Sequence, residues 1–230
     1  MIARAIAAVG LATLVSSCAT LRLGKETHPP VPPFPSPSGE EKTVRQTIIV
    51  RDTYDGNNRL HIPRGLGDGS QKENQRPLFR LVSSGAVIKN VHFKGADGIH
   101  VEASDCQIIN CVAHDVGEDA ITIEKPGTLI KDSWFRNAAD KVIQINGGSA
   151  RVDNCTADNF GCFVRLNGEA NRTLRVALVD SQLWNGDTGV RADGPKSEIK
   201  ASRNRFYDVS HPFELKNKAS LQESDNLVIP

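Results

Sequence analysis

The sequence has no excess of basic residues, few aromatic residues and no long apolar segment. Its 28 Lys and Arg residues are balanced by 27 Asp and Glu residues. Nucleic-acid-binding domains normally carry a basic excess, so we expect no nucleic-acid partner. Aromatic residues make up only 5% of the chain, whereas Gly (19 residues), Asn and Asp are plentiful. This composition favours a turn-rich β architecture, and 230 residues allow one medium-sized domain with extensions.

The N-terminus resembles an export signal. Arg4 precedes the apolar stretch AIAAVGLATLV, which is too short to span a bilayer as mature structure. The stretch ends in VSSC, which resembles the bacterial lipoprotein box with Cys18 as the lipidated residue. An ordinary signal peptide with an incidental cysteine is the alternative. Both interpretations make residues 1–18 a signal segment and predict an exported protein, either secreted or anchored to the outer membrane only through a lipid on Cys18.

A Pro-rich segment follows the signal. The stretch HPPVPPFPSPSGEEK covers residues 28–42, and such a composition is typical of an extended linker without packed structure. We therefore expect a tether over residues 19–42 and a folded domain over residues 43–230.

The folded domain contains an internal repeat. Segments such as VIKNVHFKGADGIHVE and LIKDSWFRNAADKVIQIN each place a short β-like run, then Asn or Asp, before a second β-rich run. Apolar residues recur at spacings of 21 to 26 residues, namely at Ile99, Ile121, Ile143, Val164, Val190 and Phe213. An Asn/Asp column accompanies them, at Asn90, Asn110, Asp132, Asn154, Asp180 and Asn204.

A period near 22 residues without any helical stretch predicts an all-β fold, a single-stranded right-handed parallel β-helix. In this solenoid each coil has three short strands, and coils stack about 4.8 Å apart so that inward apolar side chains form ladders. Stacked Asn side chains can bond from coil to coil at a turn. A β-sandwich, the alternative, would show hairpin turns and no constant period.

Stacking also predicts which polar side chains lie together. Two positions before each apolar anchor are Asp97, Asp119 and Lys141, and Glu118 and Asp140 lie one position earlier still. Residues at equivalent positions of adjacent coils lie about 5 Å apart, so these four carboxylates should form one patch. Unpaired, they would repel one another. Oxygen ligands suit Ca²⁺, whereas a solvated acidic face neutralised by Lys141 and Arg165 is the alternative.

The cysteines do not predict a disulfide framework. Cys111 and Cys155 share a position in the repeat, but Ser133 lies on the coil between them. Two coils correspond to about 9.6 Å, which is too far for a disulfide. We expect buried thiols in these ladders.

Several motifs resemble the pectate lyases of polysaccharide lyase family three. They are ADGIH, DVGEDA, NAADKVIQ and, upstream, DGNNRL with GDGSQKENQRPLFRL, and the resemblance covers roughly residues 52–200. It implies a small Ca²⁺-dependent β-helix enzyme that cleaves polygalacturonate by β-elimination. It also implies an acidic polysaccharide as partner, and a monomer is the default expectation.

The resemblance also implies roles for individual residues. The family's Ca²⁺ carboxylates correspond to Asp97, Glu118 and Asp119. Its Asp–Lys pair corresponds to Asp140 and Lys141, its active-site Arg to Arg165, and the acidic residue before a Gln-x-Pro motif to Glu73. Cys162 stands where the family has a substrate-binding Lys, and the family's nearby disulfide cysteines are missing.

The chemistry of β-elimination explains why these residue types are needed. The reaction removes the proton on C5 of a galacturonate and expels the oxygen on C4, and a metal ion can neutralise the adjacent carboxylate. Lys141 is our first choice of base and needs a lowered pKa, because a free Lys titrates near about 10.4. Arg165 is the alternative base, although binding the uronate carboxylate in a fork suits it better. Glu73 would protonate or orient the leaving group. We assign no catalytic role to His100, expected to be a buried residue of the coil, or to His211, expected at the surface.

Two other functions stay open at the sequence level. A non-catalytic β-helix lipoprotein could bind an acidic polysaccharide with the same patch. A hydrolase on a similar solenoid would need two carboxyl groups acting as acid and base. Asp119 and Asp140 could supply them, but Lys141 and Arg165 beside them fit elimination better.

Overall fold

The computed structural model describes residues 28–67, 70, 72, 75–117, 119–169 and 171–230. No helix occurs in these residues, and so none there could cross a membrane. The strands, in chain order, are β1 (Lys42–Val44), β2 (Ile48–Val50), β3 (Thr53–Pro63), β4 (Phe79–Leu81), β5 (Val87–Phe93), β6 (Ile99–Val101), β7 (Gln107–Ile109), β8 (Val112–Ala113), β9 (Asp119–Ile123), β10 (Thr128–Lys131), β11 (Trp134–Ile145), β12 (Ser149–Asp153), β13 (Thr156–Leu166), β14 (Arg175–Val179), β15 (Gln182–Ala192), β16 (Glu198–Ser202), β17 (Arg205–Leu215), β18 (Ser220–Ser224) and β19 (Leu227–Ile229).

The strands form three parallel ladders, which confirms the predicted parallel β-helix. In one ladder, called here the site ladder, β2, β4, β6 and β9 are followed by the second halves of β11, β13, β15 and β17. The first halves of these long strands continue a second ladder from β1, β3, β5 and β8. A third ladder runs through β7, β10, β12, β14, β16 and β18. The chain therefore visits each ladder once per coil.

The predicted apolar anchors stack as expected. Ile99 pairs with Ile121, which pairs with Ile143, and the column continues through Val164, Val190 and Phe213. All but Phe213 are fully buried, and Phe213 is packed at the margin of the core. Because this register fixes every neighbouring position, residues two before the anchors must also lie on consecutive coils.

The Asn/Asp column forms a turn on successive coils, but one of its predicted members, Asn204, lies outside the turn. Its members Asn90, Asn110 and Asn154 have φ between +50° and +54°, a region that Asn tolerates better than most residues. Asn110 Nδ2 donates to Asn90 Oδ1 at 2.7 Å, as the stacking prediction requires. At the sixth position of the column, however, Arg203 rather than Asn204 occupies the turn, with φ of +57°. Asn204 follows it into the interior, where it is fully buried and donates to Leu178 O.

The cysteines in the described part of the chain carry free thiols. Cys106, Cys111, Cys155 and Cys162 are all buried and unpaired, as predicted for the ladder cysteines. Burial raises the pKa of both Cys111 and Cys155 to about 12. These thiols therefore act as small apolar side chains.

The Pro-rich segment differs from the tether that its composition predicts. Its described part, residues 28–41, leads into β1 and contacts the solenoid at widely separated coils. His28 Nε2 lies 2.6 Å from Asp208 Oδ2, and the Phe34 ring packs edge-on against Trp134 with centroids 5.2 Å apart. Ser38 N donates to Asn58 O at 2.7 Å. Proline fixes the extended backbone, so the segment can lie along the solenoid from its last coils to its first. We call residues 28–41 the strap.

Candidate active site

A tight turn presents Asp97 just before β6 of the site ladder. Gly95, Ala96 and Gly98 have φ of +66°, +54° and +44°, a region that is unfavourable for Ala. A Cβ atom on Gly98 would lie 2.1 Å from the carbonyl oxygen of Ala120 on the next coil. The two coils approach so closely here that only glycine fits. Strained turns of this kind are concentrated at functional sites.

Asp97 is paired with His100. His100 Nε2 lies 2.8 Å from Asp97 Oδ2, and Asp97 is 8% exposed. Burial would lower the pKa of His100, but the hydrogen bond and charge of Asp97 outweigh burial and raise it. The sequence predicts a buried His100, and its side chain is partly buried, 23% exposed, where it is bonded to Asp97. This contact orients Asp97. His211 lies at the surface, as expected.

Asp119 lies on the coil above Asp97 and is almost fully buried. Its Oδ1 atom accepts no hydrogen bond from the described residues, whereas Oδ2 accepts a long one of 3.4 Å from Thr122 Oγ1. Burial raises the pKa of Asp119 to about 6, against the opposing effect of Lys141. The charges of Asp97 and Asp140 contribute to this rise in the pKa. A buried carboxylate of this kind requires a nearby positive charge to stay ionised.

Lys141 supplies positive charge to Asp119. The register pairs the two residues directly, and Lys141 Nζ lies 3.2 Å from Asp119 Oδ1. Lys141 Nζ also donates to Asp140 Oδ2. Burial lowers the pKa of Lys141, but Asp140 and Asp119 outweigh it, so the pKa is raised. The lowered pKa expected from the sequence is therefore not found in this arrangement, in which Lys141 is an ammonium ion.

Arg165 lies on the next coil but is held by a residue that the sequence reasoning did not identify. Its Nε atom donates to Asp193 Oδ2 at 2.8 Å, and Arg191 Nε donates to Asp193 Oδ1 at the same distance. Between these guanidinium groups and Lys141 lies Cys162, which pairs in register with Lys141. Burial raises the pKa of the Cys162 thiol to about 12, although Arg191 and Arg165 lower it. The two coils that follow Lys141 thus present a pair of arginines joined by Asp193.

The carboxylates of the site fit a divalent cation only in part. Among the residues that the structure describes, no three His, Cys, Asp or Glu side chains are arranged to hold a metal ion. Asp97 and Asp119 nevertheless provide buried oxygens on adjacent coils, and the neighbouring cation of Asp119 Oδ1 is the Lys141 ammonium at 3.2 Å. Oxygen donors of this kind fit Ca²⁺. Two further residues of the predicted site, Glu118 and Glu73, lie outside the described residues.

An open depression of about 460 Å³ adjoins this cluster. Its lining includes Asn137, Ala139, Asn159 and Gly161. Ala139 and Gly161 immediately precede Asp140 and Cys162 in the chain, so the depression ends at the polar cluster. It is large enough for part of a glycan chain.

Fold and site together define a class: a parallel β-helix with paired carboxylates, a buried lysine and an arginine pair on one outer ladder. Comparison with protein families identifies the class more closely, because residues 32–214 match the family model described as pectate lyase. The chain belongs to the pectate lyase family, a family of polysaccharide lyases.

Individual relatives agree with this assignment. The chain is 32% identical over 195 residues to a protein named probable pectate lyase E from Aspergillus clavatus, covering 79% of this chain and 76% of the relative. It is 30% identical over 202 residues to pectate lyase E of Emericella nidulans, covering 81% and 78%. The crystal structure of pectate lyase PelI from Erwinia chrysanthemi shares the fold, with a TM-score of 0.50 and 21% identity, covering 82% of this chain and 62% of that one.

Proposed function

We propose that the protein is a Ca²⁺-dependent pectate lyase that cleaves polygalacturonate by β-elimination and releases unsaturated oligogalacturonides. The observation that carries the proposal is the position of Lys141 Nζ, 3.2 Å from Asp119 and hydrogen-bonded to Asp140, in a chain of the pectate lyase family. An amine at the centre of a carboxylate cluster suits a reaction that moves a proton next to a metal-bound carboxylate.

The metal would be held by Asp97, Asp119 and Glu118. When bound, Ca²⁺ neutralises the carboxylate of the uronate and so makes the C5 proton more acidic. Asp97 is already oriented for this role by His100 at 2.8 Å. Burial, which raises the pKa of Asp119 to about 6, favours any partner that compensates its negative charge.

Lys141 would take the C5 proton as a free amine. The electron pair of the C5–H bond then forms the C4–C5 double bond, the C4–O4 bond breaks, and the leaving oxygen takes up a proton. Asp119 and Asp140 hold Lys141 as an ammonium ion. Proton transfer to Lys141 therefore requires that the charge of Asp119 be compensated by another group.

Arg165 would bind the uronate carboxylate. Its Nε atom is engaged by Asp193 at 2.8 Å, which fixes the plane of the guanidinium group. A guanidinium group stays protonated in proteins, so carboxylate recognition suits Arg165 better than proton abstraction. Glu73 remains a candidate for protonating or orienting the leaving group on sequence grounds alone.

The test uses the purified protein with polygalacturonate, following the ultraviolet absorbance of unsaturated uronates with Ca²⁺ and then with EDTA. We expect an increase that EDTA abolishes and that Lys141→Ala removes. Lys141→Arg is the matched variant, because it keeps a positive charge beside Asp119 but cannot act as a base. Polygalacturonate binding without any increase in absorbance would contradict the proposal and favour a non-catalytic, polysaccharide-binding β-helix.

We also propose that the protein is exported, as the predicted signal over residues 1–18 indicates, and that Cys18 carries a lipid. These residues, and the predicted linker residues 19–27, lie outside the described part of the chain. Mass spectrometry of the mature N-terminus tests both points. A lipid should be found on Cys18 and lost in Cys18→Ala, whereas an unmodified mature terminus beyond residue 18 would contradict anchoring.

A further inference from the structure

Arg165 and Arg191 occupy the same outward position on adjacent coils. The register pairs them directly, and both donate through Nε to the two oxygens of Asp193 at 2.8 Å. Burial raises the pKa of Asp193, but the hydrogen bonds from Arg191 and Arg165 outweigh burial and lower it. Asp193 is therefore a stable anion that fixes both guanidinium groups side by side.

The terminal nitrogens of both arginines are available to a ligand. None of the hydrogen bonds between described residues involves Nη1 or Nη2 of Arg165 or Arg191. The two side chains are 31% and 32% exposed. Terminal guanidinium nitrogens form the fork that binds carboxylates in a bidentate manner. Each arginine thus presents a pre-oriented anion-binding group to solvent.

The local charge balance also favours an anionic ligand. Next to Asp193, Arg191 lies 3.6 Å from Glu214, whose other oxygen lies 3.2 Å from Lys216. Three cationic side chains thus share two carboxylates, and a positive charge is left over on this part of the surface. Elsewhere the paired arginines are matched one to one, as Arg175 is by Glu198.

The spacing of the pair matches a linear polyuronate. Adjacent coils are about 4.8 Å apart, and one hexuronate residue in an extended glycan spans a similar distance. Cys162 is the register partner of Lys141; Arg165 lies three residues further along that strand, and Arg191 pairs with Arg165 on the next coil. A chain that lies along the site ladder with the carboxylate of the reacting uronate at Arg165 would therefore bring the carboxylate of a following uronate towards Arg191.

We propose that Arg191 is a substrate-binding residue that recognises a second carboxylate beside the one at Arg165, adding a sugar subsite on the side of the C-terminal coils. The subsite takes a polyuronate, and it rests on the proposed function only in the choice of that ligand. Arg191 touches the substrate away from the reacting bond, so it contributes to affinity and to preference for longer chains.

The experiment measures binding of monomeric galacturonate and of hexagalacturonate by calorimetry, with Ca²⁺, in the Lys141→Arg protein so that cleavage does not interfere. We expect Arg191→Gln to weaken hexagalacturonate binding about tenfold, since a charged hydrogen-bond pair is lost. Binding of monomeric galacturonate, which has a single carboxylate, should be nearly unchanged. The matched control is Arg175→Gln, which removes an arginine from an exposed carboxylate pair on another ladder. In the active protein, Arg191→Gln should raise KM more than it lowers kcat.

Two results would overturn the subsite: unchanged hexagalacturonate binding in Arg191→Gln, or an equal loss in Arg175→Gln, which would indicate only general charge attraction. If Arg191→Gln does not fold, Arg191→Lys keeps the charge without the fork and should bind hexagalacturonate with intermediate affinity. The proposed function fails separately. Suppose that the protein shows no elimination but that Arg191→Gln weakens hexagalacturonate binding. The subsite would then be supported, and the proposed lyase activity would be contradicted.

Discussion

Lys141 and Asp119 form an ion pair that joins adjacent coils, and both side chains are almost fully buried. Nζ and Oδ1 lie 3.2 Å apart, and the side chains are 9% and 4% exposed. The pair is a direct consequence of the coil register, which stacks residue 141 on residue 119. Its two members are also the proposed base and a proposed metal ligand, so the same contact links stability, metal binding and catalysis.

Removing the lysine should destabilise the protein more when Ca²⁺ is absent. Lys141→Ala leaves Asp119 buried without its cation, and breaking a buried pair in this way costs about 3–5 kcal/mol. A cation that binds Asp119 replaces the lost charge and stabilises the folded state. Thermal unfolding with Ca²⁺ and with EDTA should therefore show a larger Ca²⁺-induced rise in Tm for Lys141→Ala than for the unmodified protein.

The control for this prediction is Lys89→Ala. It breaks an exposed pair with Asp55, with Nζ 3.5 Å from the carboxylate, and such pairs contribute about 0–1 kcal/mol. Equal losses in the two variants, or equal effects of Ca²⁺, would show that Asp119 does not depend on Lys141.

Gly98→Ala should disrupt the turn that carries Asp97. The added Cβ would lie 2.1 Å from Ala120 O at a φ of +44°, so the adjacent coils must separate. We expect a loss of more than about 2 kcal/mol in the free energy of unfolding, and weaker Ca²⁺ binding because Asp97 moves. Urea unfolding and Ca²⁺ titration measure the two effects.

Gly85→Ala separates strain from steric overlap. Gly85 has φ of +77°, but a Cβ there would meet no atom within 4 Å. The Gly85→Ala protein should lose only about 1–2 kcal/mol of its free energy of unfolding, from the unfavourable backbone conformation. It should bind Ca²⁺ normally. If Gly98→Ala and Gly85→Ala lose equal stability and bind Ca²⁺ equally well, the close approach of the coils at Gly98 affects neither property.

The strap should contribute to stability through Phe34. Its ring packs against Trp134 and lies 5.0 Å below the guanidinium carbon of Arg136. Phe34→Ala removes a partly buried aromatic side chain, and we expect a loss of about 1–3 kcal/mol. Pro33→Ala, at an exposed neighbouring position, should cost less. Faster proteolysis of residues 28–41 in Phe34→Ala alone would accompany the loss, and identical behaviour of both variants would indicate an unattached linker.

A pair of histidines near the strap should make stability depend on pH. His92 Nδ1 lies 2.9 Å from His114 Nε2, and Arg136 Nη2 donates to His114 Nδ1 at 3.1 Å. Nδ1 of His114 therefore accepts, and its proton is on Nε2. Burial, together with His92 and the positive charges of Arg136 and Lys94, lowers the pKa of His114 from 6.5 to about 4.

The direction of this pH dependence follows from proton uptake by His114. Because the unfolded chain binds a proton at His114 more readily than the folded chain, the stability from neutral His114 is complete above pH 6.5. It is lost as the pH falls towards about 4. We expect a Tm decrease of a few degrees over this range, and a smaller one in His114→Gln. His211→Gln, at a side chain that is 64% exposed, should keep the full pH dependence. A decrease of the same size in His114→Gln would contradict the assignment.

The sequence alone determined the ladder and much of the site. A recurrence of apolar residues every 22 or so positions requires a constant coil, and a constant coil fixes which residues stack. For this reason the pairing of Asp119 with Lys141, and the place of Arg165 on the following coil, could be predicted before any coordinates. The free thiol of Cys111 followed from the same arithmetic.

Only the tertiary structure decided where the side chains between these positions point. His100 pairs with Asp97, Asp193 joins Arg165 to Arg191, and Arg203 takes the turn that was predicted for Asn204. The strap packs on the solenoid although its composition is that of a linker. A repeat specifies the relation between neighbouring coils, because backbone hydrogen bonds impose it. Rotamers, and contacts between segments far apart in the chain, depend on the packing of the whole surface, which no periodicity encodes.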